Sequence, residues 1–238
     1  MSGAPRHPPR ALVLAAGRGE RMRPLSDRCP KPLLVVRGRP LIEWHLHALA
    51  AAGVREVVVN TAWLEEQVVA ALGDGARFGL TIRCSLEGRD HGGALETAGG
   101  IAKALPLLVD TPEEVFWLVS ADIHAPGFDF DARHVEAFAT GNDLAHLWLV
   151  PNPPFHAEGD FALDAHGRLT REPAAERRWT YANIALVRPA LVAGIVPGTR
   201  AALGPLLFEA ARAGRLSGEP LHGEWHNVGT PEQLAALG

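Results

Sequence analysis

The sequence predicts one α/β domain of three layers, α/β/α, built around a mixed sheet, and three observations lead there. Short apolar runs alternate with segments of helical periodicity through the first half of the chain. Each run is closed by small or polar residues, and Gly and Pro punctuate the joins. Runs that are apolar without alternation belong to strands buried on both faces, which requires helices on both sides of a mostly parallel sheet.

Taken in order, residues 1–9 hold three prolines and no apolar stretch, so they read as a flexible tail, and the domain spans 10–238. Arg10 to Ala15 (RALVLA) is the first buried strand, and a glycine-containing loop follows it. From Pro40 to Ala52 apolar residues recur at helical spacing, with Pro at the start and Gly53 at the stop. Glu56 to Asn60 (EVVVN) is a strand, Ala62 to Leu72 a helix, Leu80 to Ser85 a strand, and Val115 to Ser120 (VFWLVS) a strongly apolar strand. After Ala121 the rhythm changes. His146 to Val150, Asp160 to Leu163 and Trp179 to Val187 are strand candidates between Pro and Gly loops, and Gly204 to Ala213 and Pro231 to Leu237 are helical. This second half is expected to add antiparallel strands to the sheet of the first.

Composition narrows the function classes. A chain of 238 residues with 47% hydrophobic side chains fills one sizeable core. A formal net charge of −4 argues against a general nucleic-acid binder, which needs a basic surface to displace counterions. No apolar run has the length of a membrane span. Cys29 and Cys84 are the only cysteines and stand far apart, which supports neither a disulfide framework nor a thiolate zinc site. The expected compartment is the cytoplasm. Eleven histidines form no HExxH, and no GxSxG is present, so neither a zinc protease nor an α/β-hydrolase is indicated.

The chemistry concentrates in LAAGRGERMRPLSDRCPKPL, from Leu14 to Leu33, where two glycines, five cations and three prolines follow the first strand. It is not a Walker loop, because neither Gly17 nor Gly19 leads to GxxxxGK[ST]. It is not a dinucleotide fingerprint, because Met22 stands where the third glycine belongs. Composition alone fits an arginine-rich surface loop equally well. Position breaks the tie: the loop leaves a buried strand at its carboxyl end, where open α/β sheets bind ligands. Bare backbone N–H groups at Gly17 and Gly19, with Arg18, Arg21, Arg23, Arg28 and Lys31 nearby, suit a triphosphate.

This stretch closely resembles LAAGxGxRMxPLTxxxPKPL, the signature of the sugar-1-phosphate nucleotidylyltransferases. The resemblance continues through RGRPLIEWHLHALAAAGVREVVVNTAWLEEQV, GDGARFGLTI, LETAGGI, VSADI, GDFAL and WHNVGT, covering nearly the whole chain. Within the family these pieces look most like the compact uridylyltransferases of peptidoglycan recycling. The resemblance implies a Rossmann-like sheet of the nucleotide-diphospho-sugar transferase type, with a nucleotide-binding half at about 10–122 and a sugar-phosphate-binding half at about 123–238. It implies UTP and a sugar 1-phosphate as substrates, Mg2+ as cofactor, and a monomer or weak homo-oligomer with no nucleic-acid or membrane partner.

By the same resemblance, Ala15, Ala16, Gly17, Arg18 and Gly19 would hold the nucleotide, while Arg21 and Lys31 would neutralise charge at the reacting centre. Asp122 stands at the aspartate of the usual NGD, here SAD, and would touch both nucleotide and metal. The second metal position departs from the family: WVDVGT is WHNVGT here, so Asn227 offers a carbonyl oxygen and no charge. Glu87, Gly93, Ala94 and Leu95 would read the base. Asp160 would bind sugar hydroxyls, Asn183 the sugar and Arg200 its phosphate. Glu96 and Thr97 also suit the first turn of a helix. The EKP motif of larger relatives reads Arg171, Glu172, Pro173.

Overall fold

The computed structural model describes residues 8–171 and 178–238. Most of the predicted tail, together with Glu172 and Pro173, lies outside them. The chain opens with β1 (Ala11–Leu14) and passes through 3-10 turns at Glu20–Met22, Leu25–Asp27 and Lys31–Leu33. The hairpin β2 (Val35–Val36) and β3 (Arg39–Pro40) leads into α1 (Leu41–Ala51). Next come β4 (Glu56–Thr61), α2 (Glu65–Leu72), β5 (Thr81–Leu86), α3 (Glu87–His91), α4 (Glu96–Leu108) and β6 (Phe116–Ser120). The second half runs β7 (Ile123–His124), α5 (Ala132–Thr140), β8 (Ala145–Val150), β9 (Ala162–Leu163), β10 (Leu169–Thr170) and β11 (Thr180–Val187). It closes with α6 (Leu203–Arg212), β12 (Leu216–Pro220), β13 (His226–Asn227) and α7 (Pro231–Ala235).

Seven strands form one sheet in the order β12-β8-β11-β6-β1-β4-β5. β1 lies parallel between β4 and β6, and β4 continues parallel to β5. In the second half only β11 runs against the rest; β8 and β12 are parallel to each other and, through β11, to β6. The expected set of antiparallel strands is thus a single reversed strand. Helix α5 crosses over between β6 and β8 and restores the common direction, as parallel pairing demands.

The three layers follow from alternation along the strands. In β1, Ala11 and Val13 face one core with Ile42, Leu46 and Leu49 of α1, Val68 and Leu72 of α2, and Val135 and Phe138 of α5. Leu12 faces the other, with Ile101 and Leu108 of α4 and Leu203 and Leu207 of α6. Each such side chain stabilises the fold by roughly 1.5–3 kcal/mol through burial. A third, smaller cluster joins Met22 and Leu34 to Leu41, Val228 and Leu237. Met22, the residue that spoils a dinucleotide fingerprint, is therefore the apolar pin that fastens the cationic loop to the carboxy-terminal strand.

Three elements differ in bounds or make-up from what composition suggests. α4 carries Gly99, Gly100 and Pro106 within thirteen residues, a poor helix on propensity alone. Its glycines answer close approaches: a Cβ at Gly100 would stand 2.6 Å from Glu87 Oε1, and one at Gly99 would strike the carbonyl oxygen of Thr199. The helix expected from Ala62 starts at Glu65, after Leu64 in a left-handed conformation at φ 49°. The strand expected at Asp160–Leu163 is the two-residue β9.

Candidate active site

The carboxyl ends of β1, β4 and β6 open onto a cleft with two connected cavities. One, of about 460 Å³, is walled by Ala15, Ala16, Gly17, Gly19, Lys31 and Asp122. The other, of about 630 Å³, is walled by Asp160, Asn183, Trp225 and Asn227 among others. Leu14, Arg21, Glu96, Thr97 and Ser120 belong to both, so the cavities meet at these side chains.

The loop after β1 is held in place by its own polar groups. Ala15 N–H donates to Asn60 Oδ1 at 2.8 Å, tying the loop to the end of β4. Gly19 takes φ 66°, a left-handed conformation that suits glycine, and its carbonyl accepts from Met22 N at 2.9 Å and Ser26 Oγ at 2.8 Å. Trp63 Nε1 donates to Ser26 O at 2.8 Å, closing the loop from below. Of the predicted cations, Arg21 and Lys31 face the cleft, whereas Arg18 stacks on Trp63 at 4.4 Å and Arg23 pairs with Asp27 at 2.8 Å. Arg18 is thus spent on an aromatic face, a correction to its expected place beside the nucleotide.

Asp122 follows β6 at the cleft floor, and Lys31 Nζ donates to its Oδ2 at 2.8 Å. β13 pairs with β7 so that Asn227 stands opposite Ile123, and Val228 N–H donates to Asp122 O at 2.9 Å. Sequence neighbours of the carboxylate and of the amide are therefore hydrogen-bonded strand partners. Among the described residues no group of three His, Cys, Asp or Glu converges on a metal position. The two residues expected to hold a metal, Asp122 and Asn227, would offer one carboxylate and one amide carbonyl, a set that fits a hard cation completed by phosphate oxygens and water and no richer cage. His226 turns elsewhere: Nε2 meets Glu224 Oε1 at 3.0 Å and the ring stacks on His124.

The expected base-reading residues do not all reach the cleft. Glu87 is fully buried, with Oε1 accepting from Asn60 Nδ2 and Oε2 from Leu95 N, both at 2.7 Å. Burial pushes its carboxyl above the usual range, against the lowering effect of those two donors. Glu87 thus organises Asn60 and Leu95 from behind the wall and touches no cavity, contrary to expectation. Leu95 is buried beneath it, and Gly93 and Ala94 lie half-buried outside both cavities. Arg200, expected at the sugar phosphate, is exposed and donates to Glu96 Oε1 at 3.0 Å. The loop carrying it is bonded to the start of α4 through Ala201, whose N–H donates to Leu95 O and whose carbonyl accepts from Ala98 and Gly99.

Asp160 and Asn183 line the second cavity. Asn183 sits at a bulge of β11 with φ 60°, and Glu96 has φ 59°; two non-glycine residues in the left-handed region face one cavity. Such conformations cost about 1–3 kcal/mol and persist where the surrounding structure over-determines them. Asp160 Oδ2 accepts from Tyr181 N at 2.8 Å and Oδ1 lies 3.0 Å from His156 Nε2. Trp225 lines the cavity with its Nε1 on Ala182 O, while Trp179 packs on the core. The sequence reading missed Asn60, Ser120 and His156. Asn60 and Ser120 carried a usable signal, a polar residue closing a buried strand; His156 had none.

Comparison with known proteins agrees with this geometry. The sequence model described as Nucleotidyl transferase matches residues 10–154. The chain is 46% identical, over 93% of its length and 93% of the relative's, to an N-acetylmuramate alpha-1-phosphate uridylyltransferase of Neisseria meningitidis serogroup B. It is 35% identical to the protein of the same name from Caulobacter vibrioides, covering 99% of this chain and 97% of that one. Among solved structures, a Bacillus anthracis protein assigned as a glucose-1-phosphate thymidylyltransferase, in complex with sucrose, superposes with TM-score 0.79 at 18% identity, over 96% of this chain and 93% of that one. HddC from Yersinia pseudotuberculosis, complexed with GMP-PN, gives 0.75 at 14%, over 96% and 97%. These two share the fold. Two cavities meeting at one arginine, the glycine loop above a buried strand and the matches across almost the full chain place this protein in the nucleotidyl transferase family, and it is a nucleotidyltransferase.

Proposed function

We propose that the protein transfers a uridylyl group from UTP to N-acetylmuramate 1-phosphate, giving UDP-N-acetylmuramate and pyrophosphate. The observation that carries this reading is the wall shared by the two cavities, with Arg21 on it, in a chain 46% identical to a relative of that name. A phosphate oxygen of the sugar 1-phosphate attacks the α-phosphorus of UTP, and the bond from that phosphorus to the bridging oxygen of pyrophosphate breaks. No covalent intermediate or proton transfer is needed, so the protein's work is positioning and charge neutralisation.

Backbone N–H groups from Ala15 to Gly19 cradle the triphosphate. Arg21, on the wall of both cavities, neutralises charge where the two phosphates meet. Lys31 holds Asp122 and adds positive charge on the pyrophosphate side. Asp122 and the carbonyl of Asn227 would hold Mg2+, which supplies Lewis-acid neutralisation of phosphate oxygens when bound. Glu87 holds Asn60, and through it Ala15 of the nucleotide loop, from behind the wall. Asn183 contacts the sugar. No helix among the described residues is long and apolar enough to cross a membrane. A cytoplasmic monomer or weak homo-oligomer completes the proposal.

The test is pyrophosphate release from UTP and magnesium with a panel of sugar 1-phosphates. Release with N-acetylmuramate 1-phosphate at the highest kcat/KM supports the reading. Preference for a glucose- or mannose-type acceptor, or for dTTP or GTP, would reassign the substrates. UTP binding with no release for any sugar would sink the enzyme reading.

A further inference from the structure

We infer that His156 pairs with the carboxylate of the acceptor sugar and so selects a carboxylate-bearing sugar over its neutral counterpart. The inference rests on the acceptor proposed above. N-acetylmuramate carries a lactyl ether, hence one carboxylate beyond its phosphate, and a cavity that accepts it must meet two conditions. No unpaired acid can face the incoming carboxylate, and one hydrogen-bonding position on a basic side chain must be left over after the phosphates are served.

Both conditions hold in the larger cavity. Its two acids, Glu96 and Asp160, are each engaged: Glu96 by Arg200 at 3.0 Å, Asp160 by His156 at 3.0 Å and by Tyr181 N–H at 2.8 Å. Its cationic side chains are Arg21 and His156. Arg21 stands at the junction with the triphosphate cavity, where the reacting phosphates require it. Two further arginines do not line the cavity but are bound to side chains that do, Arg200 to Glu96 and Arg171 to the face of Phe208 at 3.8 Å. His156 remains.

The ring is also held for this task. His156 ends the 3-10 turn Pro154–His156, preceded by Pro153, and its N–H donates to Pro153 O at 2.9 Å, so the backbone has little freedom. Its Nε2 is gripped by Asp160, and Asp160 is gripped by the backbone of β11. The side chain is 40% exposed, and among the described residues Nδ1 makes no hydrogen bond. With Nε2 turned to Asp160, Nδ1 is the ring position open to the sugar, and a ring carrying both protons donates Nδ1–H to the sugar's carboxylate. Asp160 then acts through His156, as a positioning residue.

The experiment compares kcat/KM for N-acetylmuramate 1-phosphate with that for N-acetylglucosamine 1-phosphate, the same sugar without the lactyl ether. It uses UTP and magnesium with the wild type, His156→Gln and His156→Arg, each checked for folding by thermal melting. The ratio of the two constants is expected to fall about tenfold or more in His156→Gln, through KM of the carboxylate-bearing sugar, and to be largely kept in His156→Arg. An unchanged ratio in folded His156→Gln, or an equal fall in His156→Arg, overturns the role of His156 alone. A wild type that turns over other sugar 1-phosphates but not N-acetylmuramate 1-phosphate overturns the acceptor reading, and the inference with it.

Discussion

Lys31 Nζ lies 2.8 Å from Asp122 Oδ2, across 91 positions of sequence, joining the last cation of the first loop to the carboxylate that closes the central strand. The lysine side chain is 10% exposed and the aspartate's 40%, so the cation is sunk in the wall while the carboxylate faces the cleft. One lysine therefore orients the proposed metal ligand and adds charge beside the triphosphate.

From this pairing, Lys31→Ala is expected to lower turnover by on the order of 10² while the protein stays folded. The fold survives because Asp122, left without its partner, is still solvated at the cleft. Steady-state kinetics with circular dichroism melting checks both parts. Wild-type turnover in the variant would remove Lys31 from the mechanism.

In the proposed metal site Asn227 would supply an oxygen without charge, where Asp122 supplies a carboxylate. Asn227→Asp restores a carboxylate there and is expected to lower the magnesium concentration for half-maximal activity about tenfold, since a hard cation gains an anionic ligand. A magnesium titration at saturating UTP measures it. An unmoved midpoint would mean that substrate phosphates and Asp122 suffice.

Glu87 uses both carboxylate oxygens as acceptors inside the protein, from Asn60 Nδ2 and Leu95 N. Glu87→Gln turns one acceptor into a donor facing a donor. It is expected to cost about 1–3 kcal/mol in urea denaturation and to raise KM for UTP, because Asn60 also fixes Ala15 at the nucleotide loop. A loss of stability with UTP binding intact would confine Glu87 to a scaffold role.

The parts of this molecule legible in the sequence were those set by local pattern. The buried runs RALVLA, EVVVN and VFWLVS announced β1, β4 and β6, and the loop from Gly17 to Lys31 announced its ligand end by following the first of them. What stayed hidden depended on contacts between distant segments. Glu87 looks like a loop acid until Asn60 and Leu95 enclose it, and Arg200 looks free until Glu96 takes it. The bulge that turns Asn183 into the cavity, at φ 60°, has no glycine to mark it. The first turn of α4 was legible at Glu96 and Thr97, whereas the reason for its two glycines, close contacts with Thr199 and Glu87, was not.

His45 carries the clearest pH dependence. It is fully buried on α1 with Nε2–H donating to Ile123 O at 2.9 Å, and burial pushes its pKa down from 6.5 to about 4. Between those values the unfolded chain binds a proton that the folded chain refuses, so stability rises with pH across this window and is lost as pH falls through it. Its contribution is fully present above about pH 7, and at pH 5 roughly 2 kcal/mol of it is gone. Urea denaturation at pH 5 and pH 7.5 should show that fall in the wild type and a smaller one in His45→Gln, whose amide keeps a donor for Ile123 O but does not titrate. Equal slopes in both proteins would move the acid sensitivity to the buried His124 and the half-buried His146, whose pKa values burial also lowers.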